Sequence, residues 1–245
     1  MTALHTRRVV LAILMTASAI GPAAGNAQDA GAEPASLSNA EIEALYRARQ
    51  DSARMRFTEA DVAFVTGMIS HHAQALIMSE LAPTHGASPA VETLAARIIN
   101  AQTDEIALMQ RWLADRGQLV PQVKIDGLDL TVAMSAPAGD ASHDAHMAHD
   151  AGDHHMPGML TQEQLEELAA AFGPEFDRLF LTYMIGHHAG AVTMVDDLFA
   201  VDGAGQDQAV FKLASDVQVD QITEINRMQL MLDDMASQAH EKETS

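Results

Sequence analysis

The feature that most constrains this chain is an internal duplication. Residues 61–78 are DVAFVTGMISHHAQALIM and residues 177–194 are DRLFLTYMIGHHAGAVTM, so 10 of 18 positions are identical at an offset of 116 residues. A second matching pair follows at 94–113 and 213–232, where both segments contain L-A-x6-Q-x-x-E-I-x-x-M. Self-similarity of this kind indicates that one structural unit occurs twice. The chain is therefore predicted to contain two related halves.

Each of the four segments is predicted to be a helix, because apolar residues recur at i, i+3, i+4 and i+7. Thr58 and the Ser88-Pro89 pair are suitable helix starts. Shorter helices with capping boxes, Ser38-x-x-Glu41 and Thr161-x-x-Gln164, are predicted before each long pair. Aromatic residues make up only 4% of the chain, which also favours helix over sheet. Two helical hairpins that share a core predict an all-α four-helix bundle with pseudo-two-fold symmetry.

The predicted organisation has four segments. Residues 1–27 are a signal peptide, 38–117 the first helical repeat, 118–158 a linker, and 159–240 the second repeat. Within the linker, the stretch from Ala133 to Ala151 is predicted to be flexible, since it is rich in Ala, Asp, His, Gly and Pro and has no apolar period. The two repeats are expected to form one bundle.

The amino terminus has the pattern of an export signal. Arg7 and Arg8 precede an apolar stretch at 9–20 that is too short to span a bilayer, and small residues at 25–27 suit cleavage. General secretion is the expected route, with twin-arginine export as the alternative. The mature protein is predicted to be periplasmic or secreted, without a membrane segment after cleavage.

Composition excludes several function classes. The chain has no cysteine, which excludes a disulfide scaffold, a Cys-ligated zinc site and an iron–sulfur cluster. Its formal net charge is −20, and an acidic surface repels the phosphates of nucleic acids. Nucleic acid is therefore not an expected partner.

Each His-His helix carries Asp, Met and His residues on one stripe. At 100° per residue, Asp61, Met68 and His72 share one face, and His71 lies about 100° around from His72. Two adjacent helical histidines do not easily bind one ion from the same face, so either member of the pair is a candidate ligand. The second half repeats this stripe with Asp177, Met184, His187 and His188.

The second helix of each half carries Gln102, Glu105 and Met109 at i, i+3 and i+7, repeated as Gln221, Glu224 and Met228. A buried carboxylate needs a partner, and Glu105 is expected to face His71 or His72. A metal between them, a carboxylate that orients a ligating histidine, and a hydrogen bond within the core all satisfy the pattern. Met78 and Met194, which the two halves also share, suit either a metal site or packing.

The predicted linker contains a second candidate metal-binding element. Histidines and methionines cluster between Ala141 and Gly158 without the fixed spacing of a structural zinc site. Such a tract suits exchangeable capture of copper or zinc, although a solvated acidic linker is the alternative. The candidate ligands are His143, His146, Met147, His149, His154, His155 and Met156.

The donor set favours copper, because thioethers suit Cu(I) and imidazole suits both Cu(I) and Cu(II). Zinc and iron are the alternatives. No glutamate is followed by histidine three residues later, as in di-iron bundles, and the zinc-protease motif H-E-x-x-H is absent from the sequence.

The paired M-I-x-H-H-x-x-A motifs, each followed by Q-x-x-E-I-x-x-M, resemble those of the bacterial family called domain of unknown function 305. The resemblance covers most of residues 40–115 and 155–235. It implies an exported, ferritin-like four-helix bundle and, for some members, periplasmic copper binding linked to copper resistance. The positions that carry the resemblance are Asp61, Met68, His71, His72, Met78, Gln102, Glu105 and Met109, with their counterparts Asp177, Met184, His187, His188, Met194, Gln221, Glu224 and Met228.

Three functions are compatible with the sequence. The first is sequestration or relay of copper through His/Met sites, with metal ions and other periplasmic copper-handling proteins as partners. The second is a metal-dependent oxidoreductase on the same bundle, although no set of nucleophile, base and orienting residue is visible. The third is a helical interaction module in which the His-Glu pairs are polar contacts in the core.

Overall fold

The computed structural model describes residues 37–54, 56–136 and 156–243. The predicted signal peptide and the tract from His143 to His155 lie outside the described residues. The chain divides between Glu43 and Ala44 into two units, and the bundle below belongs to the second. Helix α1 (Asn39–Arg54) crosses this boundary. It begins with the predicted capping box, in which the Glu41 carboxylate accepts from the Ser38 backbone N–H at 2.8 Å.

The second unit is built from the four predicted long helices. They are α2 (Glu59–Glu80), α3 (Pro89–Ala114), α5 (Pro174–Ala200) and α6 (Gln208–Glu243), with the short helix α4 (Gln162–Ala170) before α5. The prediction of an all-α fold is confirmed.

The predicted helix starts are also confirmed. Thr58 caps α2 and Thr161 caps α4, each through a capping box with the third helical residue. The Ser88 side chain accepts from the Val91 N–H at the start of α3, with Pro89 at the first helical position. These local hydrogen bonds satisfy backbone donors that the helix itself leaves free.

The helices pack as two hairpins, α2 with α3 and α5 with α6, which meet through α2 and α5. A carboxylate at the start of each His-His helix contacts the opposite hairpin. Asp61 accepts from the Gly205 N–H at 2.7 Å, and Asp177 accepts from the Ser88 N–H at 3.1 Å. The start of each helix thus lies beside the loop that follows the other, so α2 and α5 run antiparallel.

A β-hairpin occupies part of the segment that the sequence analysis treated as linker. Strands β1 (Val120–Asp126) and β2 (Asp129–Ser135) pair antiparallel, from Val120 opposite Ser135 to Asp126 opposite Asp129. Gly127 has φ 62° in the two-residue turn, a conformation that glycine adopts without strain. Alternate strand residues pack on the bundle beside α2 and α3. The structure therefore differs from the predicted linker, because these residues bury apolar surface.

No helix in the described part of the chain is long and apolar enough to cross a membrane.

Candidate metal centre

Two equivalent His-Glu pairs connect the helices of each hairpin. His72 Nε2 on α2 lies 2.7 Å from Glu105 Oε2 on α3, and His188 Nε2 on α5 lies 2.7 Å from Glu224 Oε2 on α6. Both imidazoles are fully buried, whereas the glutamate side chains are 20% and 15% exposed. The second histidine of each motif is therefore the one that contacts the carboxylate.

The first histidine of each motif lies where α2 and α5 meet. The rings of His71 and His187 have centroids 3.8 Å apart and are tilted by 36°. His71 Nε2 lies 3.1 Å from the backbone oxygen of Pro157. The duplication thus brings all four histidines together at the contact between the two halves, with the two glutamates beside them.

The partners of these rings determine which nitrogens carry hydrogen. Carboxylate and carbonyl oxygens only accept, so Nε2 donates in His71, His72 and His188. In the neutral ring, Nδ1 then carries no hydrogen and has a lone pair available for a hydrogen bond or a metal. Five ring nitrogens are buried without a hydrogen-bond partner: Nδ1 of all four histidines and Nε2 of His187. Buried polar atoms are normally paired, so this concentration of unpaired nitrogens is unusual for a packing core.

Burial favours the neutral form of His71, His187 and His188. It lowers the pKa of His71 to about 3, with the neighbouring His72 acting in the same direction. Burial also lowers the pKa of His187 well below its usual value, assisted by repulsion from the other histidines and opposed by the backbone of His71. The pKa of His188 is lowered by burial, although Glu224 acts in the opposite direction. Neutral imidazole is the form that binds metals.

Four methionines lie one helical turn from the His-Glu pairs, and all are fully buried. Met68 and Met109 belong to one hydrophobic cluster, and Met184 and Met228 belong to the other. One turn is about 5.4 Å along the helix axis. Thioethers therefore flank the histidine cluster on both sides. Met78 packs in the same cluster as Met184 and Met228 and is also fully buried.

A short segment that we call the strap, Met156–Leu160, crosses α5 directly over the cluster. The Gln74 side chain holds it by accepting from the Leu160 N–H at 2.7 Å and donating to the Leu160 oxygen at 3.0 Å. A Cβ on Gly190 would lie 1.9 Å from the Pro157 oxygen. Glycine at 190 is therefore required for the strap to approach the helix this closely.

The end of the strap brings two further predicted residues together. Met156 Sδ and Met194 Cε lie 3.5 and 3.3 Å from the point that a Cβ on Gly67 would occupy. Both side chains are half-buried. Two thioether side chains thus meet over the surface of α2, one turn from His71.

The two aspartates of the predicted stripe lie away from the histidines. Asp61 is about 16 Å along the axis of α2 from His72, as 11 residues at 1.5 Å rise require, and Asp177 is equally far from His188. Their carboxylates are used by the capping and loop contacts described above. The structure therefore places Asp61 and Asp177 at the ends of the bundle, apart from the other candidates.

The side chains near the centre do not form a completed chelate. Within the described residues, no group of three or more His, Asp or Glu side chains is arranged to hold a metal ion. The candidates His143, His146, Met147, His149, His154 and His155 lie outside the described residues. Of the predicted tract ligands, the structure describes Met156.

Two groups of residues around the cluster were not predicted from the sequence. Gln74, Pro157 and Gly190 position the strap, and their signal was Gly190 together with the adjacent pair Pro157-Gly158. Carboxylates also crowd the outer side of the His-Glu pairs. Burial, followed by the charges of Glu105, Asp216 and Glu224, raises the pKa of Asp220, so this face of the centre is strongly negative.

Solved structures of related proteins match this chain over most of their own length. A DUF305 fragment from Deinococcus radiodurans is 26% identical, with a TM-score of 0.53 and coverage of 72% of this chain and 97% of that chain. A DUF305 protein from Streptomyces coelicolor is 24% identical, with the same TM-score and coverage of 72% and 92%, which is a likeness of fold. CopM in its Cu(I)-bound form is 26% identical over 71% of this chain and 96% of that chain, but its TM-score of 0.48 is too low to assign a ligand here.

None of the curated proteins matches this chain significantly. The family model described as domain of unknown function DUF305 matches residues 61–232, which include both His-His helices, the hairpin, the strap and both Gln-x-x-Glu helices. The chain belongs to the DUF305 family.

Proposed function

We propose that this protein binds copper ions as cargo in the four-histidine cluster and sequesters or relays them. The observation that carries the proposal is the set of five buried ring nitrogens without a hydrogen-bond partner. A buried unpaired nitrogen destabilises the native state, and a bound metal would satisfy several of these atoms at once. Neutral imidazoles need no deprotonation before they bind a metal.

The neighbouring side chains favour copper over harder metals. Met68, Met109, Met184 and Met228 supply thioethers within a turn of the His-Glu pairs, and soft ligands select Cu(I) among the metals expected outside the cytoplasm. Glu105 and Glu224 fix the ring orientation of His72 and His188 from behind, as carboxylates do for metal-bound histidines. Zinc and iron fit the imidazoles but gain less from the thioethers.

The competing interpretation is that the His-Glu pairs are only polar contacts of the core. That interpretation accounts for Nε2 of His72 and His188, which are paired. It does not account for His187, which has no hydrogen-bond partner on either nitrogen. We therefore place His71 and His187, at the contact between the hairpins, as the principal ligands.

The strap and the tract supply a route for the ion. The tract ends in sequence at Met156, and Met156 and Met194 meet over Gly67 beside the cluster. We infer that copper captured by His143–His155 passes to these thioethers and then to the histidines after the His71–Pro157 hydrogen bond opens. The predicted export signal at 1–27 supports a role in copper handling in the periplasm or outside the cell.

The test compares copper binding of the mature parent with a His71→Ala/His187→Ala variant and a variant lacking 143–155. Cu(I) affinity is measured by competition with a chromophoric chelator, and Cu(II) ligation by electron paramagnetic resonance. The double histidine variant is expected to lose affinity by about 100-fold or more, since two ligands are removed. Deletion of the tract is expected to slow loading and leave the affinity of the cluster unchanged.

The matched control is His240→Ala, an exposed histidine on α6, which is expected to bind copper as the parent does. Circular dichroism verifies that each variant is folded. Parent-like copper affinity of the double histidine variant would show the proposal to be wrong. Sustained turnover with oxygen or peroxide, lost with the histidines, would instead favour the oxidoreductase.

A further inference from the structure

A second polar site lies on the far side of the His-Glu pairs, between α3 and α6. It is a cavity of about 160 Å³, lined by Gln102 and Glu105 from α3 and by Gln221 and Glu224 from α6, with Asp220, Arg97, Ala101 and Thr223 at its margin. The duplication relates these residues in pairs, Gln102 to Gln221 and Glu105 to Glu224. No histidine or methionine lines this cavity.

The two glutamines that line this cavity each have an unused side-chain acceptor. Gln102 is 2% exposed and Gln221 is 4% exposed, and the Oε1 atom of each is buried without a hydrogen-bond partner. An amide oxygen in this state needs a donor or a cation. The exposed guanidinium of Arg97 is close enough to line the cavity but does not pair with either amide oxygen.

The charge of the cavity determines which ligand fits. Glu105, Glu224 and Asp220 face one basic side chain, Arg97, and the glutamates use only Oε2 in their bonds to the histidines. An anion would be repelled by the three carboxylates. A cation would be attracted by them and would satisfy both amide oxygens.

We propose that this cavity binds a hard divalent cation of the Ca²⁺, Mg²⁺ or Mn²⁺ class through Gln102, Glu105, Gln221 and Glu224. Carboxylate and amide oxygens completed by water are the ligands that such ions prefer. Copper is disfavoured because the cavity offers no imidazole nitrogen or thioether. The proposal does not depend on copper binding in the histidine cluster, although Glu105 and Glu224 belong to both sites.

The experiment uses Mn²⁺ as the probe, since it prefers oxygen ligands and its free form is measured directly by electron paramagnetic resonance. The chelator-treated mature protein is titrated in 150 mM salt, where diffuse attraction to the acidic surface is screened. The parent is expected to bind one Mn²⁺ that Ca²⁺ or Mg²⁺ displaces. Gln102→Leu/Gln221→Leu is expected to bind it at least about tenfold more weakly.

Three further variants make the result decisive. Asn226→Leu, an exposed change on α6, is expected to bind Mn²⁺ as the parent does, whereas Asp220→Asn is expected to weaken binding without disturbing the core. His71→Ala/His187→Ala is expected to keep the Mn²⁺ site, which separates this proposal from the copper site. Equal Mn²⁺ binding by the parent, the double glutamine variant and Asp220→Asn would overturn the proposal, and so would absence of a displaceable ion in the parent.

Discussion

His187 is the residue at which stability and the proposed function are most directly opposed. Its ring is fully buried, neither nitrogen has a hydrogen-bond partner, and such an atom destabilises a native state by about 1–3 kcal/mol. His187→Leu fills a similar volume without polar atoms. We expect the free energy of unfolding of the metal-free variant, measured with urea, to exceed that of the parent by about 1 kcal/mol or more. The variant is also expected to bind copper more weakly.

The control for this prediction is Gln238→Leu on the exposed part of α6, which is expected to leave both the free energy of unfolding and copper binding unchanged. If His187→Leu instead lowers the stability of the metal-free protein, His187 is a packed and satisfied core residue. The proposed copper site would then lose its main support.

The buried histidines also predict how stability depends on pH. The pKa of His71 is lowered to about 3, and those of His187 and His188 are lowered as well, chiefly by burial. In the unfolded chain the same rings bind protons near pH 6.5. Below that pH the unfolded state holds more protons, so the free energy of unfolding falls by up to about 1.4 kcal/mol per pH unit for each ring.

Urea unfolding of the metal-free parent and of His187→Leu between pH 7.5 and 5 tests this dependence. The stability of the parent is expected to be greatest above about pH 6.5 and to fall more steeply than that of the variant as the pH decreases. The difference between the two curves isolates the contribution of His187 from that of the carboxylates. Parallel curves would mean that His187 is protonated in the native state.

Among the structural elements, the strap packs so closely against α5 that there is no space for a side chain at Gly190. Gly190→Ala would place a Cβ 1.9 Å from the Pro157 oxygen, so the strap must move and its bonds to His71 and Gln74 are lost. We expect a loss of at least about 2 kcal/mol in the free energy of unfolding, since two buried polar groups become unpaired. Faster hydrogen exchange at the Leu160 N–H, which Gln74 otherwise holds, would report the displacement.

Gly186→Ala is a control on the same helix, one turn earlier. A Cβ at this position meets nothing within 4 Å, and alanine exceeds glycine in helix propensity by about 1 kcal/mol. This variant is expected to be more stable than the parent. If Gly190→Ala and Gly186→Ala both gain stability, the strap does not pack against Gly190 as closely as described.

At the scale of elements, local signals in the sequence predicted the helices well. Thr58, Ser88 and Thr161 cap the helices at the expected positions, because capping depends on residues three apart in the chain. The β-hairpin was missed although Asp126-Gly127 is a turn signal and each strand has seven residues, since the segment was interpreted together with the His-rich tract that follows it. The strap could not be predicted, because it depends on contact between residues 86 apart, as in the bond of Gln74 to Leu160.

For the whole molecule, the duplication predicted which residues recur but not how the recurring residues are used. Asp61 and Asp177 share a stripe with the histidines, yet each connects its helix to the opposite hairpin. His71 and His187 come together only because the two halves pack antiparallel. Periodicity identifies the buried face of a helix, whereas the partner on that face is set by the packing of the two halves.

These reciprocal contacts predict that the bundle unfolds as one cooperative unit. Trp112 is the only tryptophan of the chain, and its Nε1 donates to Asp207 at the start of α6, 3.1 Å away. Asp177 lies at the opposite end of the bundle, where it accepts from the Ser88 N–H. Trp112 fluorescence therefore reports on one end when the other end is altered.

Asp177→Ala leaves the Ser88 N–H without its acceptor and is expected to lower the free energy of unfolding by about 1–3 kcal/mol. In a two-state protein, urea transitions followed by Trp112 fluorescence and by far-ultraviolet circular dichroism shift together. Asp197→Ala, an exposed change on the same helix, is expected to shift neither transition. A shift in circular dichroism without a shift in Trp112 fluorescence would show that the two ends unfold independently, and the histidine cluster would then lie at a contact that opens without global unfolding.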